Sequence, residues 1–141
     1  MIPRLRRAAR LARLLATFSA LGVLKHVVSL PTLVRWASQT PGDRAARPAD
    51  DIAWEVVRAG AFGGWPDRDC LQRSLLLYRE LARAGWSPEL VVGFERGTAG
   101  LLGHAWVRAE GRVLADADAA VARFEPALVF GADGALRNEL R

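Results

Sequence analysis

Three residues of this 141-residue chain could together perform acyl chemistry: its single cysteine, Cys70, and two residues that follow it, His104 and Asp116. Cys70 stands at the predicted N-terminus of a helix, where unpaired backbone N–H groups and the helix dipole stabilise a thiolate. The same N–H groups could form part of an oxyanion hole. A thiol nucleophile needs a base, and an imidazole oriented by a carboxylate provides one. These residue types therefore predict a Cys-His-Asp triad.

A hairpin should connect His104 to Asp116. Residues 103–109 and 112–116 have the composition of two strands around a Glu110-Gly111 turn. Because directly opposed residues of antiparallel strands share a face, the length of the connecting turn decides whether the two side chains meet.

Two turn lengths are possible. A two-residue turn at 110–111 would place Asp116 opposite Ala105. Since adjacent residues of a strand point to opposite faces, His104 and Asp116 would then lie on opposite faces of the hairpin. A three-residue loop at 109–111 would place them directly opposite each other. That loop requires a left-handed residue at its third position, which suits Gly111. We therefore predict the three-residue loop.

Each of these residues also has a structural interpretation. A lone cysteine is commonly a small core residue, and a histidine in a strand is commonly structural. Asp116 could simply begin a turn, and Asp118 competes for its role. Gln72, inside the helix, and Trp65, upstream of it, are both insecure as side-chain donors to an oxyanion, so none is assigned.

The helices that must position Cys70 precede the strands. Helical spacing of apolar residues covers 4–36, with Pro31 opening a second short helix, and a third helix covers about 51–61. The clearest helix is 70–84. Asp67 or Asp69 is expected to cap its start, and Gly85 to end it.

The periodicity changes after this helix. Short β segments follow, and residues 121–130 could be a strand or a loop. Helices followed by a strand meander predict an α+β fold, in which the helix that bears Cys70 packs on a small antiparallel sheet.

A proline- and glycine-containing segment without bulky apolar residues, 40–50, is the best linker in the chain. It divides a basic N-terminal helical segment, 1–50, from a core domain, 51–141. We interpret the first part as a possible partner-docking surface.

The basic excess of the chain, a net charge of +5, lies within this N-terminal segment. An arginine-flanked apolar stripe is typical of a helix that packs on its own domain or on a partner. Aromatic residues do not interleave the arginines, so nucleic-acid binding is not expected, and a membrane-surface helix is a weaker alternative. The arginines are Arg4, Arg6, Arg7, Arg10 and Arg13.

Composition excludes several classes of protein. With 51% hydrophobic and 25% charged residues, the chain is not disordered, and one cysteine allows no intrachain disulfide. The apolar run 14–24 is shorter than the about 20 residues that span a membrane. A signal peptide is the alternative for this run, but no small-x-small cleavage site follows it before Lys25, so we expect a cytoplasmic protein. One cysteine and two histidines do not make a zinc site, and a phosphate-binding loop is missing, so we predict neither a metal nor a cofactor.

Several motifs of this chain, together with the spacing between them, resemble those of the lasso peptide biosynthesis B2 proteins. These are leader peptidases of the microcin J25-processing type, within the transglutaminase-like (papain-like) cysteine superfamily. The resemblance covers about residues 53–118. It rests on Cys70-Leu71-Gln72-Arg73-Ser74-Leu75, Gly85, Val92-Gly93, Gly103-His104-Ala105-Trp106-Val107, Gly111-Arg112-Val113-Leu114 and Asp116.

The resemblance implies that Cys70 is the nucleophile, His104 the general base and acid, and Asp116 the carboxylate that orients His104. It implies an enzyme that removes the leader from a ribosomally made precursor, commonly after a Thr-x dipeptide, before a separate asparagine-synthetase-like cyclase closes the macrolactam. Residues 1–50 show no winged-helix pattern of strands. The chain therefore resembles the split form, which works with a separate B1 leader-recognition protein.

The resemblance leaves two other functions open. The same superfamily includes acyltransferases, which would pass the acyl group to an amine instead of water. A non-catalytic peptide-binding module, in which Cys70 is a core residue, is the second alternative.

Overall fold

The computed structural model describes residues 2–39 and 47–137, which form helices followed by an antiparallel sheet. The α+β fold class is confirmed. The sheet order is β3-β2-β1-β4-β5, and each neighbouring pair is antiparallel. The helices are α1 (Ile2–Leu24), α2 (Leu30–Ser38), α3 (Ala49–Gly63), α4 (Cys70–Arg83) and α5 (Asp118–Ala122), with a 3₁₀ turn at Asp67–Asp69. The strands are β1 (Glu89–Gly97), β2 (Gly100–Ala109), β3 (Arg112–Leu114), β4 (Glu125–Phe130) and β5 (Leu136–Arg137).

The helix α4 begins at Cys70 and ends as the sequence predicts. Gly85 has a φ of 89°, a left-handed conformation that glycine adopts without steric cost. Its N–H donates to the Ala82 carbonyl at 3.1 Å, and the Trp86 N–H donates to the Leu81 carbonyl at 3.0 Å. These two bonds satisfy carbonyls that the helix itself leaves unpaired.

The start of α4 differs from the prediction. Neither Asp67 nor Asp69 caps the helix with its side chain, because a 3₁₀ turn leads directly into it. Asp69 precedes the helix with φ −91° and ψ 31°, not the extended conformation that a capping side chain needs. Its carboxylate instead lies 3.5 Å from Lys25 Nζ, at the end of α1.

The N-terminal helix α1 shares its core with α4. Leu14, Phe18 and Leu21 are buried in the cluster that holds the α4 leucines. Their spacing of four and three residues is that of one helix face. Most of the predicted linker, 40–46, lies outside the described residues, and the division of the chain at residue 50 stays a prediction.

The two faces of the sheet pack differently. One face, which includes Leu90, Val107 and Phe130, packs with α4 in the main core. The other face carries a smaller cluster around Trp106, which includes Val121 of α5.

Candidate active site

An imidazole–carboxylate pair lies beside the β2–β3 hairpin. His104 Nε2 is 2.6 Å from Asp116 Oδ2, and each side chain is 19% exposed. The second oxygen, Asp116 Oδ1, accepts a hydrogen bond from the Ala117 N–H at 3.1 Å. Because both oxygens have partners, the carboxylate is held in a fixed direction toward the ring.

The turn that carries this pair is shorter than predicted. Arg108 pairs with Val113, so the turn has two residues, Glu110 and Gly111, and the predicted three-residue loop is wrong. The φ values of the turn residues, 53° and 73°, are both positive. Such turns match the right-handed twist of a hairpin, although glutamate seldom adopts a positive φ.

The pair forms nevertheless, because β3 ends early. With the two-residue turn, a continued ladder would direct Asp116 away from His104. The strand stops at Leu114, and Ala115 has a φ of 60°. A left-handed residue at this point acts like a bulge and returns the next side chain to the face of His104. Asp118, the competing carboxylate, lies exposed in the first turn of α5.

Aromatic rings support the imidazole. The ring centroid of His104 lies 5.0 Å from that of Phe124 and 5.9 Å from that of Trp106. Gly93 is directly opposite His104 in the β1–β2 ladder. A Cβ on Gly93 would lie 2.8 Å from the Trp106 ring and 2.9 Å from the Glu125 carbonyl oxygen. Only glycine fits there without displacing Trp106.

Cys70, the first residue of α4, is half-buried. One turn further along the same helix face, Ser74 Oγ donates to the Ala105 carbonyl at 3.0 Å. This bond fixes the first half of α4 against the segment of β2 that carries His104. The structure therefore brings His104 and Asp116 together. In the two described ranges, Cys70 forms no hydrogen bond with either of them.

Gln72 and Trp65, the two side chains considered as oxyanion donors, both contact Phe18 of α1. Gln72 is buried, and its Nε2 donates to the Phe18 carbonyl at 2.5 Å. The Trp65 ring stacks on Phe18 at 3.7 Å between centroids. Both side chains hold α1 on the core, so neither is assigned as an oxyanion donor.

Over residues 2–39 and 47–137, no group of three His, Cys, Asp or Glu side chains has an arrangement that could hold a metal ion. None of the helices in this described part of the chain combines the length and apolarity of a membrane span.

The chain matches a known protein family over most of its length. The family model described as transglutaminase-like superfamily matches residues 8–129, from α1 to the end of β4. The chain belongs to the transglutaminase-like superfamily. This superfamily includes cysteine-based enzymes, both peptidases and acyltransferases. No curated protein and no solved structure matches the chain.

The region that matches the transglutaminase-like superfamily includes most of α1, from residue 8 onward. The match begins well before the predicted boundary at residue 50. It does not distinguish a lasso leader peptidase from other transglutaminase-like proteins.

Proposed function

We propose that this protein is a cysteine peptidase that removes the leader from a ribosomally synthesised lasso peptide precursor. The observation that carries the proposal is the 2.6 Å bond between His104 Nε2 and Asp116 Oδ2 in a transglutaminase-like chain whose one cysteine begins a helix. The B2 resemblance of the Cys70 and His104 motifs supports the choice of substrate.

Asp116 would give His104 its working tautomer. When Nε2–H donates to the carboxylate, Nδ1 keeps the lone pair and is the nitrogen that can accept the thiol proton. The same bond stabilises the imidazolium that forms when the proton moves. Asp116 is thus a positioning residue that acts through His104.

The reaction follows from these groups. His104 removes the thiol proton, and Cys70 Sγ attacks the scissile carbonyl carbon. N–H groups at the start of α4 hold the oxyanion. His104 then protonates the leaving amine as the C–N bond breaks, which leaves a thioester. Water attacks the thioester with His104 as base, and the acid product and free thiol are released.

A separate B1 protein is proposed to supply leader recognition, and a macrolactam-forming cyclase to act on the product. Residues 2–39 form two helices, without the strands of a winged-helix recognition domain. The separate recognition protein is proposed from the resemblance alone. We place the reaction in the cytoplasm, where a single cysteine stays reduced.

The decisive experiment incubates the chain with a lasso precursor, with and without a B1 protein, and identifies products by mass spectrometry. We expect a single cut between leader and core, with a free acid at the leader's end. Cys70→Ala should abolish the cut, whereas Ser19→Ala, an exposed change in α1, should not affect it. Asp116→Asn should lower kcat by about 100-fold or more, since it disturbs the tautomer of His104.

Three outcomes would contradict the proposal. An amide product in the presence of an amine would indicate acyl transfer. Full cleavage by Cys70→Ala would show that the thiol is structural. Tight precursor binding without cleavage, with or without B1, would indicate a peptide-binding module.

A further inference from the structure

An open groove runs between the first half of α1 and α3. It encloses about 660 Å³, within the range of ligand sites in proteins. Leu11, Leu14 and Ala59 form its apolar floor, and Trp54 and Phe62 stand on the α3 side. Trp54 is 57% exposed and Phe62 is 73% exposed. Large apolar side chains exposed together commonly mark a contact surface.

Arginines line the walls of this α1–α3 groove. Arg10 and Arg47 both bind Glu55, with N···O distances of 3.5 and 2.6 Å. Arg7 is exposed on α1, and Arg58 lies over the Trp54 ring at 4.5 Å from its centroid. Arg7 and Arg58 therefore remain available for an anionic ligand.

A second, smaller groove on the other flank of α1 extends the basic surface. It encloses about 290 Å³, shares Arg10 and Arg47 with the first, and adds Arg6, Arg13 and Arg83. Among the described residues, seven arginines and three carboxylates line the two grooves. The local field on both sides of α1 is thus positive, and it would draw an anionic partner to this surface.

We infer that the α1–α3 groove binds an acidic amphipathic segment of a partner polypeptide. Its large apolar side chains pack against Trp54 and Phe62, and its carboxylates pair with Arg7 and Arg58. Amphipathic segments bind in this way when an apolar groove is bordered by opposite charge. A concave floor fits inserted side chains better than the flat face of a lipid bilayer.

The inference is independent of catalysis. The groove includes neither Cys70, His104 nor Asp116. Binding can therefore be measured whether or not the chain proves to be a peptidase, and failure of one proposal does not imply failure of the other.

The test uses a labelled amphipathic helical peptide with leucine and phenylalanine on one face and glutamate on the other. Matched peptides carry glutamine or lysine in place of glutamate. Fluorescence anisotropy with the full chain should show binding of the glutamate peptide, and binding about tenfold weaker for the glutamine peptide. Raising NaCl from about 50 to 300 mM should weaken the first complex, because salt screens the arginine–carboxylate attraction.

Charge reversal locates the binding surface. The double variant Arg7→Glu with Arg58→Glu should lose about tenfold or more of the affinity for the glutamate peptide and gain affinity for the lysine peptide. Arg96→Glu, an exposed change in β1 outside the groove, is the matched control and should bind as the parent chain does. Unchanged far-UV circular dichroism and thermal melting would show that each variant is folded. Phe62→Ser tests the apolar contact without a change of charge.

Three results would overturn the inference. Equal binding of the glutamate and lysine peptides would show that charge does not select the ligand. Unchanged affinity in the folded double variant would place binding elsewhere. Flotation with phosphatidylglycerol vesicles that depends on Arg7 and Arg58, without peptide binding, would assign the surface to a membrane.

Discussion

His104 and Asp116 pair across a hairpin whose ladder ends before it reaches either of them. The bond between Nε2 and Oδ2 is 2.6 Å, yet the last paired residues are Val107 and Leu114. Ala115, with a φ of 60°, turns the carboxylate toward the imidazole. A single left-handed residue thus converts an unfavourable strand register into a hydrogen-bonded pair.

Changing Ala115 tests this geometry. Ala115→Val should lower the free energy of unfolding by about 1–3 kcal/mol, because a β-branched residue is strained at a positive φ. Ala115→Gly should keep both stability and the pair, since glycine adopts this conformation freely. Urea denaturation measures the first effect, and the NMR signal of the His104 Nε2 proton reports the second. A valine variant as stable as the parent would contradict the role given to Ala115.

Gly93→Ala should disturb the packing of the Trp106 ring, which lies beside His104. The new Cβ would approach the Trp106 ring and the Glu125 carbonyl too closely, so we expect a loss of about 1–3 kcal/mol in the free energy of unfolding. Gly97→Ala in the same strand is the control, because its Cβ would meet its nearest neighbour at an ordinary 3.6 Å. Chemical denaturation of both variants gives the comparison. Equal stability of the two would refute the packing argument.

Glu80→Ala should loosen α1 from α4. Glu80 is buried and forms an ion pair with Arg13, and Arg79 lies beside it. Removal of the carboxylate leaves the Arg13 guanidinium without this ion-pair partner, and we expect a loss of about 1–3 kcal/mol. Asp50→Ala, which breaks the exposed pair with Arg112, should cost less than about 1 kcal/mol. Thermal melting of the two variants would show the difference, and an equal effect would contradict it.

Tyr78 should make the protein sensitive to high pH. Burial raises the pKa of this fully buried phenol to about 12, and its hydroxyl donates to the Gly131 carbonyl at 2.5 Å. The pKa of a tyrosine in the unfolded chain is about 10. The stability that depends on neutral Tyr78 is therefore fully present below about pH 10. It is lost as the pH rises through about 12, by up to about 3 kcal/mol.

The variant Tyr78→Phe separates this effect from general alkaline unfolding. It should be less stable at neutral pH by about 1 kcal/mol, because the hydrogen bond from the Tyr78 hydroxyl is lost and the Gly131 carbonyl keeps the Gly134 N–H. Between about pH 10 and 12 its stability should fall less than that of the parent, since it lacks the titrating group. Urea denaturation at several pH values measures both slopes. Parallel slopes would show that Tyr78 does not control the alkaline response.

Local patterns in the sequence were enough to predict the main helices and strands and the residues able to do chemistry. Repeats of three and four residues identified α4 and its start at Cys70, and Gly85 identified its end. Alternating apolar residues and turn chemistry identified the hairpin that carries His104. These features depend on interactions within a few residues of chain, so local patterns predict them.

The register of the hairpin and the packing position of α1 depend on contacts between distant parts of the chain, which local patterns do not predict. A two-residue turn needs a positive φ at Glu110, and the bond to His104 needs one at Ala115. Each is locally unfavourable, so packing across the sheet must outweigh its cost. Likewise, Gln72 meets the Phe18 carbonyl from 54 positions away in the chain. Contacts between such distant residues leave no periodic pattern in the sequence.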